Sequence, residues 1–163
     1  MRTAMLILSV LTVGAMAGVM GLYVNTLMPG LRRTDDRTFV GAFQAIDTAI
    51  INPVFLATFL GGLVFTVLAA LLHLGDQFGD VLPWLVVAAV LYFGVIVITA
   101  AVNVPRNDAI KVAGDPDVID VAATRADFGE AVWVRWTLVR TALTWVAFGC
   151  LVWASILAGR ASG

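Results

Sequence analysis

The chain is poor in the residues that build metal centres and covalent cross-links. It contains one cysteine, Cys150, and one histidine, His73, among 163 residues. A single cysteine excludes an intrachain disulfide and any zinc or iron–sulfur site built from several cysteines. A single histidine likewise excludes a bis-histidine haem and a multi-histidine metal centre within one chain. We therefore expect no metal in its function.

Charge is also scarce. Charged residues make up 13% of the chain, whereas soluble proteins average roughly 25%. Hydrophobic residues make up 61%, and the mean hydropathy is +0.97. The formal net charge is −1 and no basic tail is present, so nothing favours nucleic acid as a partner. The composition indicates an integral membrane protein whose partners include membrane lipids.

Four apolar segments are long enough to cross a bilayer. A spanning helix needs about 20 apolar residues. Because lipid offers no hydrogen-bond partners, the backbone N–H and C=O groups of such a segment must bond to each other, and a helix achieves this within one segment. We therefore predict an all-α, four-transmembrane-helix bundle that forms a single domain over residues 1–163. The first segment is predicted to be an uncleaved helix rather than a signal peptide, because its apolar run continues to Met28. The helices are predicted at about 3–28, 53–74, 81–104 and 127–158.

Proline and glycine set the predicted helix ends. Proline lacks a backbone donor and disfavours helix at the preceding residue, so the first and third helices are predicted to end before Pro29 and Pro105. The second is predicted to end at Gly75 and the fourth near Gly159. Residues 75–80 are predicted only to turn the chain.

A short amphipathic helix is predicted between the first two spanning helices. Asp35 and Asp36 can cap it, and four apolar residues after them recur on one helical face, as expected for a helix in the cytoplasmic membrane interface. Asn52 before Pro53 is typical of an N-cap. The apolar face comprises Phe39, Phe43, Ile46 and Ile50.

Basic residues are distributed unequally between the two sides of the predicted bundle. Eight lie on one side, whereas the other side has Arg2 and Arg160. The positive-inside rule places the eight in the cytoplasm and both termini outside it. High Ala, Val and Arg content with a single Lys is typical of a GC-rich bacterial genome, so a multi-pass protein of the bacterial inner (plasma) membrane is expected. The eight are Arg32, Arg33, Arg37, Arg106, Lys111, Arg125, Arg135 and Arg140.

Polar residues cluster near the predicted cytoplasmic helix ends. In the fourth helix, polar and aromatic side chains share one face at i, i+3, i+7 and i+10. Asparagines lie at the ends of the other helices, and polar groups at membrane depth are expensive unless they face the bundle interior. The residues concerned are Asn25, Asn52, Asn103, Asn107, Glu130, Trp133, Thr137 and Arg140, with Trp136 beside them.

These residues allow two interpretations. They can line a shared polar cavity, with Trp133, Trp136 and either Phe39 or Phe43 as aromatic walls. Alternatively, the asparagines are ordinary helix caps, and the tryptophans and arginines form the aromatic and cationic belts common at membrane boundaries.

Small residues mark a packing face on the first helix. Gly14 and Gly18 have GxxxG spacing, which lets helices approach closely in lipid. The neighbour can be another helix of the chain, a second copy in a homo-oligomer, or a membrane-complex partner.

Four motifs, MPGLRR, INPVF, VNVPRN and W-x-R-W-x-x-V-R-T, resemble those of the DUF1772 or anthrone oxygenase-like integral membrane proteins. The resemblance covers nearly the whole chain. It implies four spanning helices and oxidation of an anthrone, a hydrophobic aromatic small molecule, to an anthraquinone with dioxygen and without a metal or organic cofactor. The chain departs from the family pattern after Trp136, where Thr137 and Leu138 stand in place of an asparagine and a polar or basic residue.

The implied reaction suggests roles for the clustered residues. Removing a proton beside the anthrone carbonyl leaves an enolate, whose oxyanion Arg140 can stabilise with Asn103 or Asn107. Glu130, or Asp127 one turn earlier, is the candidate base if partly buried. The expected substrate-binding residues are Trp133, Trp136, Thr137, Asn52 and Asn25. The alternative is a non-catalytic membrane protein, either an accessory subunit of a complex or a protein that binds lipid or quinone.

Overall fold

The computed structural model describes residues 1–75 and 79–162, and the regular secondary structure within them is helical. Four helices are long and apolar enough to span a membrane. They confirm the all-α fold with four spanning helices. Residues 76–78 of the predicted 75–80 turn lie outside the described residues. The spans are Arg2–Leu31, Pro53–Leu72, Leu82–Lys111 and Val121–Ala161.

Helix α1 covers Arg2–Leu31, and the others follow in chain order. These are α2 (Asp36–Ile50), α3 (Pro53–Leu72), α4 (Leu82–Lys111), α5 (Val121–Phe128) and α6 (Glu130–Ser162). Helix α1 packs against α3 and α6, and α4 packs against the same two helices, so the four long helices form a closed ring.

Helices α1 and α4 both continue past the proline at which the sequence predicts an end. Each contains a π turn, at Tyr23–Leu27 and Thr99–Asn103, that ends two residues before Pro29 or Pro105. A proline in a regular helix clashes with the carbonyl four residues earlier and lacks the N–H that would bond to it. The wider π turn, with its i→i+5 hydrogen bond, accommodates the proline. The α-helical parts are Arg2–Leu22 and Met28–Leu31 in α1, and Leu82–Ile98 and Val104–Lys111 in α4.

The fourth predicted helix is divided in two near its start. Helix α5 ends at Gly129, which has φ 65° and ψ 54°. Glycine adopts this left-handed conformation without a Cβ penalty and commonly ends a helix in this way. The predicted start at residue 127 therefore lies in the last turn of α5, and α6 starts at Glu130.

Two glycines permit close helix packing within the chain. A Cβ on Gly62 of α3 would lie 2.8 Å from the Tyr92 ring of α4, and one on Gly14 of α1 would lie 2.7 Å from Phe148 of α6. Gly14 therefore has a neighbour inside the chain. Gly18 is exposed, and a Cβ added to it would meet no atom within 4 Å, so packing of a second copy against it stays a prediction.

Helix α2 is built as the sequence indicates. The Asp35 carboxylate caps it by accepting from Thr38 N at 3.0 Å and from the Thr38 hydroxyl at 2.7 Å, and these bonds lower the pKa of Asp35. Asn52 caps α3 by accepting from Phe55 N at 2.9 Å. The apolar face of α2 packs on protein, in a cluster of Met28, Phe39, Val40, Phe43, Ile110, Phe128 and Trp133. Its position in the membrane interface stays a prediction.

Candidate functional site

A cavity of about 100 Å³ lies between α2 and one end of the ring of long helices. Its walls come from α1, α2, α3, α4 and α6, and side chains from both π turns contribute to it. The lining combines apolar and aromatic groups with a small set of polar ones. The polar and aromatic lining residues are Tyr23, Phe43, Asp47, Phe55, Thr99, Asn103, Asn107, Trp133, Thr137 and Arg140.

Arg140 is the buried cation of this cavity, with 8% of its surface exposed. Its Nη1 donates to the Thr99 hydroxyl at 2.8 Å and its Nη2 to the Thr137 hydroxyl at 3.0 Å. Its Nε is buried without a partner, and no carboxylate among the described residues lies within ion-pair distance. A buried charge lacking a counter-ion is costly, so the site favours an anionic ligand.

Asn103 is buried in the same network and contributes a free acceptor. Its Nδ2 donates to the Thr137 hydroxyl at 3.1 Å, whereas its Oδ1 has no partner. The Thr137 hydroxyl donates to the Trp133 carbonyl at 2.9 Å. Thr137 therefore connects Asn103 with Arg140, and among the described residues of this network one buried acceptor and one buried donor lack partners.

Aromatic side chains form one wall of the cavity. The Trp133 ring centroid lies 5.7 Å from that of Phe43, edge to face, and 6.1 Å from that of Tyr23. The guanidinium carbon of Arg140 lies 5.9 Å from the Trp133 ring centroid. Trp133 Nε1 donates to Asn107 Oδ1 at 2.7 Å, which fixes the orientation of the indole.

Asp47 of α2 is a lining residue that the sequence analysis did not identify. It is 5% exposed, and its Oδ1 accepts from Asn107 Nδ2 at 2.7 Å. Its Oδ2 accepts from Lys111 Nζ at 2.8 Å. Asp47 follows Phe43 by four residues and so shares its helical face. This spacing was the signal available in the sequence.

Tyr23 is a second lining residue that the sequence analysis missed. It belongs to the π turn of α1 and lines the same cavity as Asp47 and Arg140. Within the described part of the chain its hydroxyl makes no hydrogen bond. No sequence pattern identifies it, because its position depends on the π turn.

Glu130 does not line the cavity. Its carboxylate pairs with Arg125 at 3.3 Å and with Arg32 at 3.7 Å. Asp127 is exposed and also lies outside the lining. Glu130 is the first residue of α6 and is held by these two arginines, whereas Asp127 lies in the last turn of α5, before the left-handed residue Gly129. Neither acid is positioned to act as the base in the cavity.

Three other predicted binding residues also lie away from the cavity. Asn25 and Asn52 are exposed, and the Asn52 side chain is engaged as the cap of α3. Trp136 is 37% exposed. It follows Trp133 by three residues but precedes Thr137 by one, which turns it away from the face that carries Thr137 and Arg140. Of the predicted site residues, the cavity brings together Asn103, Asn107, Trp133, Thr137 and Arg140.

The cavity is small for the ligand that the sequence suggests. Sites for drug-sized molecules enclose about 300–1,000 Å³, whereas this one measures about 100 Å³. A fused-ring ligand therefore requires lining side chains to move, and the flexible side chains of Met16 and Met20 lie in the wall. No group of three metal-binding side chains occurs among the residues that the structure describes.

Comparison with known proteins identifies a family. A family model described as anthrone oxygenase matches residues 41–150, about two thirds of the chain. The matched range includes Asp47, Asn103 and Arg140. No curated protein and no solved structure matches the chain.

Proposed function

The chain belongs to the anthrone oxygenase family, and on this premise we propose that it oxidises a hydrophobic aromatic small molecule with dioxygen. The reaction would use neither a metal nor an organic cofactor. One observation carries the proposal: an aromatic-walled cavity holds a buried Arg140 and an Asn103 with a free amide oxygen, and none of the described residues is a counter-ion to Arg140.

The proposed reaction develops negative charge where this cavity has a positive one. Loss of a proton beside the carbonyl of an anthrone converts that carbonyl to an enolate oxyanion. A fixed donor in a water-poor site stabilises such an anion more than water can, because it requires no reorganisation. We assign this role to Arg140, held in place by Thr99 and Thr137.

The rings of Tyr23, Phe43 and Trp133 suit a flat aromatic substrate. Aromatic pairs gain about 0.5–1.5 kcal/mol beyond the burial of their surface. Methionine side chains adapt to irregular shapes, so Met16 and Met20 can yield to the ring system.

Access to the cavity is apolar. Ile51 and Val104 line it and are also 54% and 40% exposed, and this supports an opening beside them. We propose that a hydrophobic substrate reaches the cavity from lipid through this opening. If the positive-inside orientation holds, the lipid is that of the cytoplasmic leaflet.

Oxygen uptake tests the proposed function. Membranes carrying the chain are given anthrone, and dioxygen consumption is compared for the wild type, Arg140→Ala and Arg135→Ala. Loss of one oxyanion-stabilising donor costs about 10²–10³ in kcat, so we expect a loss of that size for Arg140→Ala. Arg135 is exposed on the same helix and does not line the cavity, so its variant should retain the wild-type rate.

Two results would contradict the proposal. If the wild type consumes no more oxygen than membranes without the protein, a non-catalytic role in binding lipid or quinone is the better description. If Arg140→Ala reacts as fast as the wild type, Arg140 does not stabilise the oxyanion.

A further inference from the structure

We propose that Asp47 is the base that removes the proton from the substrate carbon, an inference that rests on the oxidation proposed above. Among the described residues that line the cavity, Asp47 is the one carboxylate. A base must lie within hydrogen-bond reach of the proton that it abstracts. This requirement removes Glu130 and Asp127, which lie outside the cavity, and leaves Asp47.

The Asp47 carboxylate accepts two hydrogen bonds from α4 and still has free acceptor positions on its oxygens. A carboxylate has about four acceptor positions on its two oxygens. Asn107 Nδ2 and Lys111 Nζ occupy one position on each oxygen, at 2.7 Å and 2.8 Å. Both donors belong to α4. One acceptor position on each oxygen therefore remains available to a proton from the substrate.

The helix that carries Asp47 is anchored next to these donors. The Gln44 side chain, one turn earlier in α2, donates to the Ile110 carbonyl at 2.8 Å and to the Gly114 carbonyl at 3.0 Å. These bonds tie α2 to the end of α4. The carboxylate is thus preorganised by two helices before a substrate binds.

The charges around the cavity suit this proton transfer. Lys111 pairs with Asp47 at its outer side, whereas Arg140 is bonded to Thr99 and Thr137 in a separate part of the lining. Tyr23 lines the same cavity as Asp47 and Arg140. In the proposed complex the substrate lies beside Tyr23, with its acidic carbon toward Asp47 and its carbonyl oxygen toward Arg140.

The step balances in atoms and electrons. The substrate C–H bond breaks, an O–H bond forms on Asp47, and the electron pair moves into the ring system and onto the carbonyl oxygen. Dioxygen then oxidises the enolate. One of its oxygen atoms becomes the new carbonyl, and the other leaves as water with the two hydrogens of the original CH₂ group, which returns Asp47 to the carboxylate.

Anaerobic proton exchange isolates this step from oxidation. Purified protein is mixed with anthrone in D₂O without oxygen, and uptake of deuterium at the CH₂ carbon is followed by mass spectrometry. General-base catalysis contributes about 10²–10⁴. We therefore expect Asp47→Asn to exchange at least about 10²-fold more slowly than the wild type while still binding anthrone.

Asp108→Asn is the matched control. Asp108 also pairs with Lys111, at 3.2 Å, but it is exposed and does not line the cavity. The Asp108→Asn substitution removes an ion-pair partner of Lys111 and leaves the proposed base in place. We expect its exchange rate to stay close to that of the wild type.

The outcomes separate this inference from the proposed function. Wild-type exchange that Asp47→Asn retains would overturn the role of Asp47 and leave the oxidation untouched, whereas a wild type that takes up no oxygen would overturn the oxidation itself. If Asp47→Asn does not fold, Asp47→Glu decides, because it keeps the charge and moves the carboxylate by one methylene. A lower exchange rate with unchanged anthrone binding then supports the base, whereas an Asp47→Ser variant that exchanges as fast as the wild type would overturn it.

Discussion

Single hydroxyl groups hold the polar part of the cavity together. Thr137 accepts from Asn103 and from Arg140, and Thr99 accepts from the other end of the same guanidinium. An unsatisfied buried polar group costs about 1–3 kcal/mol. Only a few such groups occur in an ordinary protein core, so the free atoms of Asn103 and Arg140 at one site are consistent with the proposed ligand.

Thr137→Val should destabilise the protein and slow the oxidation. The isosteric substitution leaves one Arg140 nitrogen without its acceptor and leaves the Asn103 amide with only its longer bond, 3.4 Å, to the Trp133 carbonyl, so we expect a loss of about 1–3 kcal/mol. Thermal unfolding in detergent measures it. The control is Thr141→Val, because the Thr141 hydroxyl bonds only to the Thr137 carbonyl of its own helix. Equal melting temperatures for the two variants would contradict the role given to Thr137.

At the scale of elements, α2 acts as the cover of the cavity. Its buried face supplies Phe43 and Asp47, and Gln44 ties its middle to α4. Near its start, Arg125 of α5 donates to the Asp36 carboxylate at 3.0 Å and stacks 4.2 Å above the Phe39 ring centroid. Docking of α2 therefore depends on a few specific contacts in addition to its apolar face.

Arg125→Met should loosen α2. A hydrogen bond to a charged group contributes about 1.5–3 kcal/mol when partly buried, and Arg125 also bonds to the Thr34 carbonyl at 3.1 Å. We expect faster amide hydrogen exchange in residues 36–50. Arg37→Met is the control, since Arg37 makes an exposed ion pair with Asp117 and exposed pairs contribute about 0–1 kcal/mol. Equal exchange in both variants would show that Arg125 does not hold the cover.

Some features of the helices can be predicted from the sequence, whereas others depend on how the helices pack. The four spans follow from apolar length, which is a direct physical requirement of lipid. Thr137, Trp133 and Arg140 share one face of α6, so their proximity follows from helical spacing alone. Asp47 was not predicted as a site residue because its burial depends on how α2 docks. Tyr23 was not predicted because its position depends on the π turn in α1. The predicted helix ends at Pro29 and Pro105 were wrong for a related reason. A π turn before each proline widens the helix locally and lets it continue.

At the scale of the whole molecule, the ring of four helices leaves one end for α2 to close. The buried polar groups of the candidate site collect at that end, whereas the rest of the core is mainly apolar. In the proposed orientation the site lies at the cytoplasmic face. A hydrophobic substrate dissolved in that leaflet would then reach Arg140 and Asp47 without crossing water.

A structure determined with bound anthraquinone, the stable oxidised product, tests the central claim most directly. We expect its rings beside Trp133 and Tyr23, one carbonyl oxygen within hydrogen-bond distance of Arg140, and displaced Met16 or Met20 side chains in an enlarged cavity. Anthraquinone bound on another surface, with the 100 Å³ cavity unchanged, would contradict it.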